Sequence, residues 1–182
     1  ALVEYTLFSE KLLSVAEYES QIQSYLKKLG VNQYQIIEKE QGSIPMTCYP
    51  FWKKNTKRVL NIGTAGGWTK ASTGYTFKNA DKKSSKLVEF LSDASKDTSR
   101  LINMKKFHKK SRFWFYDLLL LDILYRHNEL GISIFSSLFK KGNPQLIFKF
   151  LDEETNLIED LKVILKCPKA PFIKALFRRI FS

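Results

Sequence analysis

A β-branched run, Arg58 to Ile62, leads into the small residues Gly63-Thr64-Ala65-Gly66-Gly67, then through Trp68-Thr69-Lys70 to Ser72-Thr73-Gly74 and a helix-like pattern. This succession constrains the fold more than any other stretch. It reads as strand, small-residue loop and capped helix, and it predicts an α/β arrangement. Small residues let a backbone approach something flat or anionic. Hydroxyls and amides at a helix start offer donors to a carbonyl oxygen or a phosphate. The segment is not a Rossmann fingerprint, because G-x-G-x-x-G with a following acid is absent, and it is not a P-loop, because no Gly-Lys-Ser/Thr occurs.

The flanking sequence extends the pattern. Residues 2–8, 34–40 and 57–62 read as strands, rich in β-branched and aromatic residues. Between the first two, Ser14-Val15-Ala16-Glu17 is a capping box opening a helix through about Lys28 that stops at Gly30. From Thr73 the apolar stripe Phe77, Ala80, Leu87, Val88 and Leu91 predicts a helix, with Lys78, Lys82, Lys83 and Lys86 largely outside it. A basic connector follows, and then only helices, over 113–127, 131–140, 144–151, 154–166 and 170–181. Pro144 after Asn143 suits a first helical turn. The domain expectation is therefore a partial sheet with the glycine loop over 1–92, a connector over 93–112 and a helical cap over 113–182.

Charge and composition narrow the partners. The chain of 182 residues carries a net charge of +12, which points to an anionic partner: nucleic acid, a membrane surface or an anionic cofactor. No nucleic-acid motif appears, and aromatic residues are not interleaved with Arg on strands, so nucleic acid is not expected. Cys48 and Cys167 form no metal spacing and no CxxC, which fits a reducing cytoplasm and two small core residues. His108 and His127 have no triad or metal partner in sequence, and no metal site is expected. The most apolar run, Phe113 to Tyr125, is broken by Asp117 and Asp122 and falls short of the roughly 18 residues a spanning helix needs. A strand pattern beginning at the first residue implies a chain cut within a fold, a C-terminal fragment. The last helix sets Phe172, Ile173, Leu176, Phe177, Ile180 and Phe181 against Lys174, Arg178 and Arg179, a pattern suited either to anionic lipid or to closing a core.

Thr64-Ala65-Gly66-Gly67 through Thr73-Gly74-Tyr75, preceded by Ser43-Ile44-Pro45-Met46, resembles the second flavin-contacting region of lycopene β-cyclases. Upstream, Val3-Glu4-Tyr5-Thr6 resembles that family's acidic signature, and the spacing between the motifs fits. The resemblance covers roughly residues 2–90, with the tail less specifically marked. It implies the C-terminal part of an FAD/NAD(P)-binding fold of the glutathione-reductase-like, monooxygenase type: a sheet followed by an α-helical tail. It also implies reduced FAD as cofactor, NAD(P)H as a candidate reductant and the polyene lycopene as substrate. Gly63, Thr64, Ala65, Gly66, Gly67, Thr73, Gly74 and Tyr75 become the candidate cofactor-binding residues. Thr64 stands where many flavoproteins carry Asp, which leaves backbone contacts from Gly66, Gly67, Thr73 and Gly74 as the expected mode. A bilayer-borne substrate implies a bacterial cytoplasmic enzyme held peripherally on the inner face of the plasma membrane.

Glu4 is the candidate catalytic acid. On a strand it shares a face with Leu2, Thr6 and Phe8. Desolvation among such apolar neighbours favours the protonated carboxyl, which can then donate a proton. The resemblance implies the reaction: protonation of a terminal double bond, attack by an internal alkene and proton loss, without net redox change. Phe150-Leu151-Asp152-Glu153-Glu154-Thr155 superficially repeats the signature, but is expected only to favour a helix start, with Glu154 facing solvent. Trp52 and Trp68 are candidate lining of a polyene channel or simply core. The rival readings are an FAD-dependent isoprenoid reductase or hydroxylase, and a basic non-enzymatic protein of membrane surfaces.

Overall fold

The computed structural model describes residues 1–95, 103–108 and 111–181. Its chain forms two compact units, Ala1–Ser43 and Ile44–Ser182. The first is organised by α1 (Val15–Lys28), and its N-terminus is the capping box expected from sequence: Ser14 accepts from the Glu17 amide while Glu17 reaches back to the Ser14 amide. The C-terminus closes as a Schellman turn. Gly30 takes φ +76°, its amide donates to Lys27 and that of Val31 to Leu26.

The second unit holds six α-helices among the described residues: α2 (Phe77–Ser95), α3 (Arg112–Arg126), α4 (Leu130–Lys141), α5 (Pro144–Leu151), α6 (Leu157–Ile164) and α7 (Lys169–Phe181). Local chemistry sets their ends. Ser111 caps α3, Asn143 caps α5 with Pro144 in its first turn, and Asn156 with Glu159 forms a second capping box on α6. Two apolar clusters hold the bundle. Leu119 and Ile123 of α3, Ile134 of α4 and Ala175 of α7 form one; Leu138 of α4, Ile147 of α5 and Val163 of α6 form the other. Cys167 packs against both.

The expected sheet is not there. No strand occurs among the described residues, so the α/β assignment, with a sheet ahead of a helical tail, is replaced by an all-helical architecture. The segments 2–8, 34–40 and 57–62 run without regular structure. Their composition suits strands, but a strand is a pairing, and among the described residues none of the three is paired into a ladder; 57–62 has one cross-segment backbone bond, from the Met104 amide to the Lys57 carbonyl. Around 58–62 side chains do the work instead. The Thr56 hydroxyl accepts from the Arg58 and Val59 amides, and buried Asn55 accepts from the Asn61 amide and side chain.

On two helices the charged face also makes inward contacts. On α2 the apolar stripe is only partly covered: Ala80 and Leu87 are half-buried, while Phe77 is 79% and Val88 64% exposed. The lysine edge makes the contacts: Lys78 and Lys82 pair with Glu154, Lys78 also with Asp152, and Lys83 donates to the Gly67 carbonyl. On α7, Arg178 and Arg179 turn to buried Asp122 of α3, while Phe177 and Ile180 remain exposed. Asp117 and Asp122, which break the apolar run of α3, are buried and each is met by a cation. The basic connector expected over 93–112 lies partly outside the described residues, at 96–102 and 109–110.

Candidate functional site

The glycine segment is a 3-10 turn, Gly63–Gly66, followed by Gly67 at φ +69° and a second turn at Thr73-Gly74. Its small residues divide by what surrounds them. A Cβ on Gly66 would lie 2.2 Å from the Asn61 carbonyl oxygen, and one on Gly74 2.9 Å from Ile44 Cγ2. These two glycines are required by the chain's own close packing. A Cβ on Gly63 would meet nothing within 4 Å, and Thr64, Ala65, Thr73 and Tyr75 are exposed.

The amides divide in the same way. Those of Gly66, Gly67, Thr73 and Gly74 donate to the carbonyls of Ile62, Thr64, Lys70 and Lys70, and that of Tyr75 donates to the Thr73 hydroxyl. The donors expected to cradle a flavin are thus engaged within the loop. The open edge of the loop is Gly63-Thr64-Ala65, and the Tyr75 side chain is also exposed. Thr64 and Thr69 hydroxyls, 3.0 Å apart, stiffen that edge, and Thr76 donates to Thr69 at 2.9 Å.

Lys70 anchors the loop. Its amide donates to Tyr75, its carbonyl accepts from Thr73 and Gly74, and its side chain is buried. Nζ lies 3.0 Å from Asp117 Oδ1 on α3 and 3.3 Å from Glu153 Oε1 beyond α5. Ser72 hydrogen-bonds Asp117, and Ser111 donates to the other oxygen of Glu153 at 3.3 Å. Burial pushes the Asp117 carboxyl above its usual range, against the opposing pull of Lys70. Burial, with Asp117 nearby, pushes the Cys48 thiol up to about 12.

Sequence reading passed over this cluster. Lys70 reads as one polar residue in a loop, and its partners lie 47 and 83 residues away. The acidic tail segment, expected to open a helix, instead closes one and binds lysines. Asp152 is the C-cap of α5, and α6 starts only at Leu157. Thr155 is buried and donates to Asp160, which Arg112 and Tyr116 also reach. Trp68 is 4% exposed and belongs to the interior. His108 stacks on Trp52 at 4.4 Å, and burial, reinforced by Lys83, lowers its pKa.

Glu4 departs from expectation in its surroundings. It is exposed, as is Leu2 at 92%, and it is not in a strand. The burial between Leu2 and Phe8 argued from alternation is absent, because alternation buries a face only when a sheet exists to carry it. Glu4 accepts from the Thr6 hydroxyl and lines a groove of about 240 Å³ with Val3, Tyr5, Ile22, Tyr25 and Lys28.

Among the described residues no cluster of His, Cys, Asp and Glu could hold a metal ion, and no helix is long and apolar enough to cross a membrane. What remains is a basic helical protein with an internally hydrogen-bonded small-residue loop and, in its first unit, a groove that includes Glu4. The chain matches the family model described as lycopene cyclase protein over residues 1–177, and it belongs to the lycopene cyclase family. Its function is of the lycopene cyclase type, in carotenoid biosynthesis. No curated protein and no solved structure matches it.

Proposed function

We propose that the chain forms part of an enzyme that converts the linear ends of lycopene to β-ionone rings by proton-initiated cyclisation. The observation that carries this is the span of the family match, which takes in Glu4, the glycine segment and the helical tail. Glu4 is the proton donor. Its groove offers apolar surface from Val3, Tyr5, Ile22 and Tyr25, and the Thr6 hydroxyl orients one carboxyl oxygen. A polyene lying on that surface would set its terminal double bond against the carboxyl, within reach of the proton. The Glu4 proton passes to the terminal carbon–carbon double bond, the internal alkene attacks the resulting tertiary cation, and a ring proton leaves to water, from which the Glu4 carboxylate is reprotonated. Atoms and electrons balance, and the change is an isomerisation.

Reduced FAD, with NAD(P)H as its reductant, would supply an electron-rich surface able to stabilise a cation. Gly63, Thr64, Ala65 and Tyr75 would line it, while Gly66, Gly67, Thr73 and Gly74 hold the loop's shape. Lycopene partitions into bilayers, so the enzyme docks peripherally on the cytoplasmic face of the plasma membrane. Exposed Ile173, Phe177, Ile180 and Phe181 on α7, with the net charge of +12, support docking on anionic lipid.

The test is Glu4→Gln in the full-length protein, expressed in a lycopene-accumulating bacterial host with pigments resolved by chromatography. Lycopene is expected to persist and cyclised product to fall at least about a hundredfold. Undiminished cyclisation removes Glu4 from the mechanism.

A further inference from the structure

We propose that Glu153 and Lys70 form a positioning pair that holds the Gly63–Tyr75 loop in its ligand-facing conformation; this rests on the reading of that loop as the cofactor contact. The argument begins with backbone geometry. The end of α5 is a Schellman turn: the Glu153 amide donates to Phe150, and the Glu154 amide to Lys149. The residue at its left-handed position is Glu153, at φ +61°, among the described residues the one non-glycine with positive φ. At the same position after α1 the chain uses Gly30. A side chain there is disfavoured, so something beyond the cap retains the carboxylate.

That something is Lys70. Glu153 Oε1 lies 3.3 Å from Lys70 Nζ, and Oε2 accepts from Ser111 at the N-cap of α3. Lys70 also binds Asp117, so its side chain reaches two separate elements of the bundle. Its backbone meanwhile makes three hydrogen bonds across the turn: to Tyr75, and from Thr73 and Gly74. Fixing Nζ therefore fixes the turn. Asp117 meets Nζ through both of its oxygens, at 3.0 and 3.1 Å, and Glu153 adds a second carboxylate from another element, which ties the lysine to the end of α5 as well as to α3.

The same geometry supplies a clean test. Glu153→Gly keeps the Schellman turn, relieves the disfavoured φ and deletes the carboxylate. The full-length protein is compared with its E153G and E153Q variants by thermal unfolding, by peptide-resolved amide hydrogen exchange and by fluorescence titration with FAD. For E153G the unfolding midpoint is expected to stay level or rise. Exchange at Lys70–Thr76 should quicken at least about tenfold, because the bonds guarding it lose their anchor. FAD affinity should fall by a similar factor. E153Q keeps an acceptor for Lys70 and should fall between. Unaltered exchange at Lys70–Thr76 in E153G overturns the proposal. So does a lowered midpoint with exchange quickened throughout, since that marks a merely structural role. If the parent protein binds no FAD while E153G still loosens the turn, the flavin reading fails and the positioning pair stands.

Discussion

Arg112 and Asp160 give the sharpest energetic test of the bundle. Asp160 is 1% exposed and accepts from Arg112 Nε at 2.6 Å, Thr155 Oγ1 at 2.5 Å and Tyr116 at 3.1 Å. The Arg112 side chain is 39% exposed. The two ends of this ion pair therefore differ in what their loss leaves behind. Arg112→Met strands a buried carboxylate, for which a loss of about 3–5 kcal/mol is typical. Thr155 and Tyr116 still donate to it and water reaches the vacated side, so about 2 kcal/mol is the expected cost. Asp160→Asn strands only a half-exposed guanidinium. Its amide can turn the oxygen to Arg112 and Tyr116 and the NH2 to the Thr155 hydroxyl, for a cost of about 1 kcal/mol. The assay is denaturant unfolding of each full-length variant, with melting as a check. A 2 kcal/mol loss lowers the midpoint by about 4–8 °C in a chain of this size.

The pH dependence follows from the direction of the Asp160 shift. Burial raises its pKa, but hydrogen bonds from Arg112, Thr155 and Tyr116 outweigh burial and hold it below its ordinary value. A depressed carboxyl stabilises the fold above its unfolded pKa, near 3.9, and the contribution is lost as pH falls through the folded value. The gap between the parent protein and Arg112→Met should thus be flat from about pH 5 to 8 and narrow below about pH 4. An Asp160→Asn loss equal to or above that of Arg112→Met would refute the asymmetry. A gap unchanged down to about pH 3 would show that charge is not its origin.

Two further outcomes are expected. Gly66→Ala places a Cβ 2.2 Å from the Asn61 carbonyl oxygen, so the loop must shift and stability should drop by about 2–3 kcal/mol in denaturant unfolding. Gly42→Ala meets nothing within 4 Å and should stay within about 0.5 kcal/mol; equal losses at the two sites would count against the packing account. Cys48, with its thiol pushed up to about 12, should alkylate with iodoacetamide at pH 8 at least about a hundredfold more slowly than free cysteine. Rapid labelling resolved by peptide mapping would show the thiol to be accessible and ionised.

The helical half of the fold was legible because its signals are local. Ser14 with Glu17, Gly30, and Asn143 before Pro144 each satisfy orphan amides or carbonyls within a few residues, so their spacing marks helix ends directly. Segment 144–151 agrees with α5 to the residue, and 113–127 differs from α3 by one position at each end. The motifs around Glu4 and Gly63–Tyr75 were also sufficient to point to the family.

Pairing was beyond the sequence. Val59 and Ile62 look like strand residues, yet strand composition says nothing about whether a partner lies 4.8 Å or so away, and among the described residues none completes a ladder. The lysines of α2 read as lying outside its apolar stripe, and the arginines of α7 as facing either anionic lipid or solvent; their orientation depended on where Glu154, Asp152 and Asp122 came to rest. Lys70 is the strongest instance. Helix caps are written within one turn of chain, whereas a buried cation is chosen by carboxylates 47 and 83 residues away. Neighbours in sequence determined where helices begin and stop, and only the packed structure decided which charges leave water, because desolvation belongs to a location rather than to a residue type.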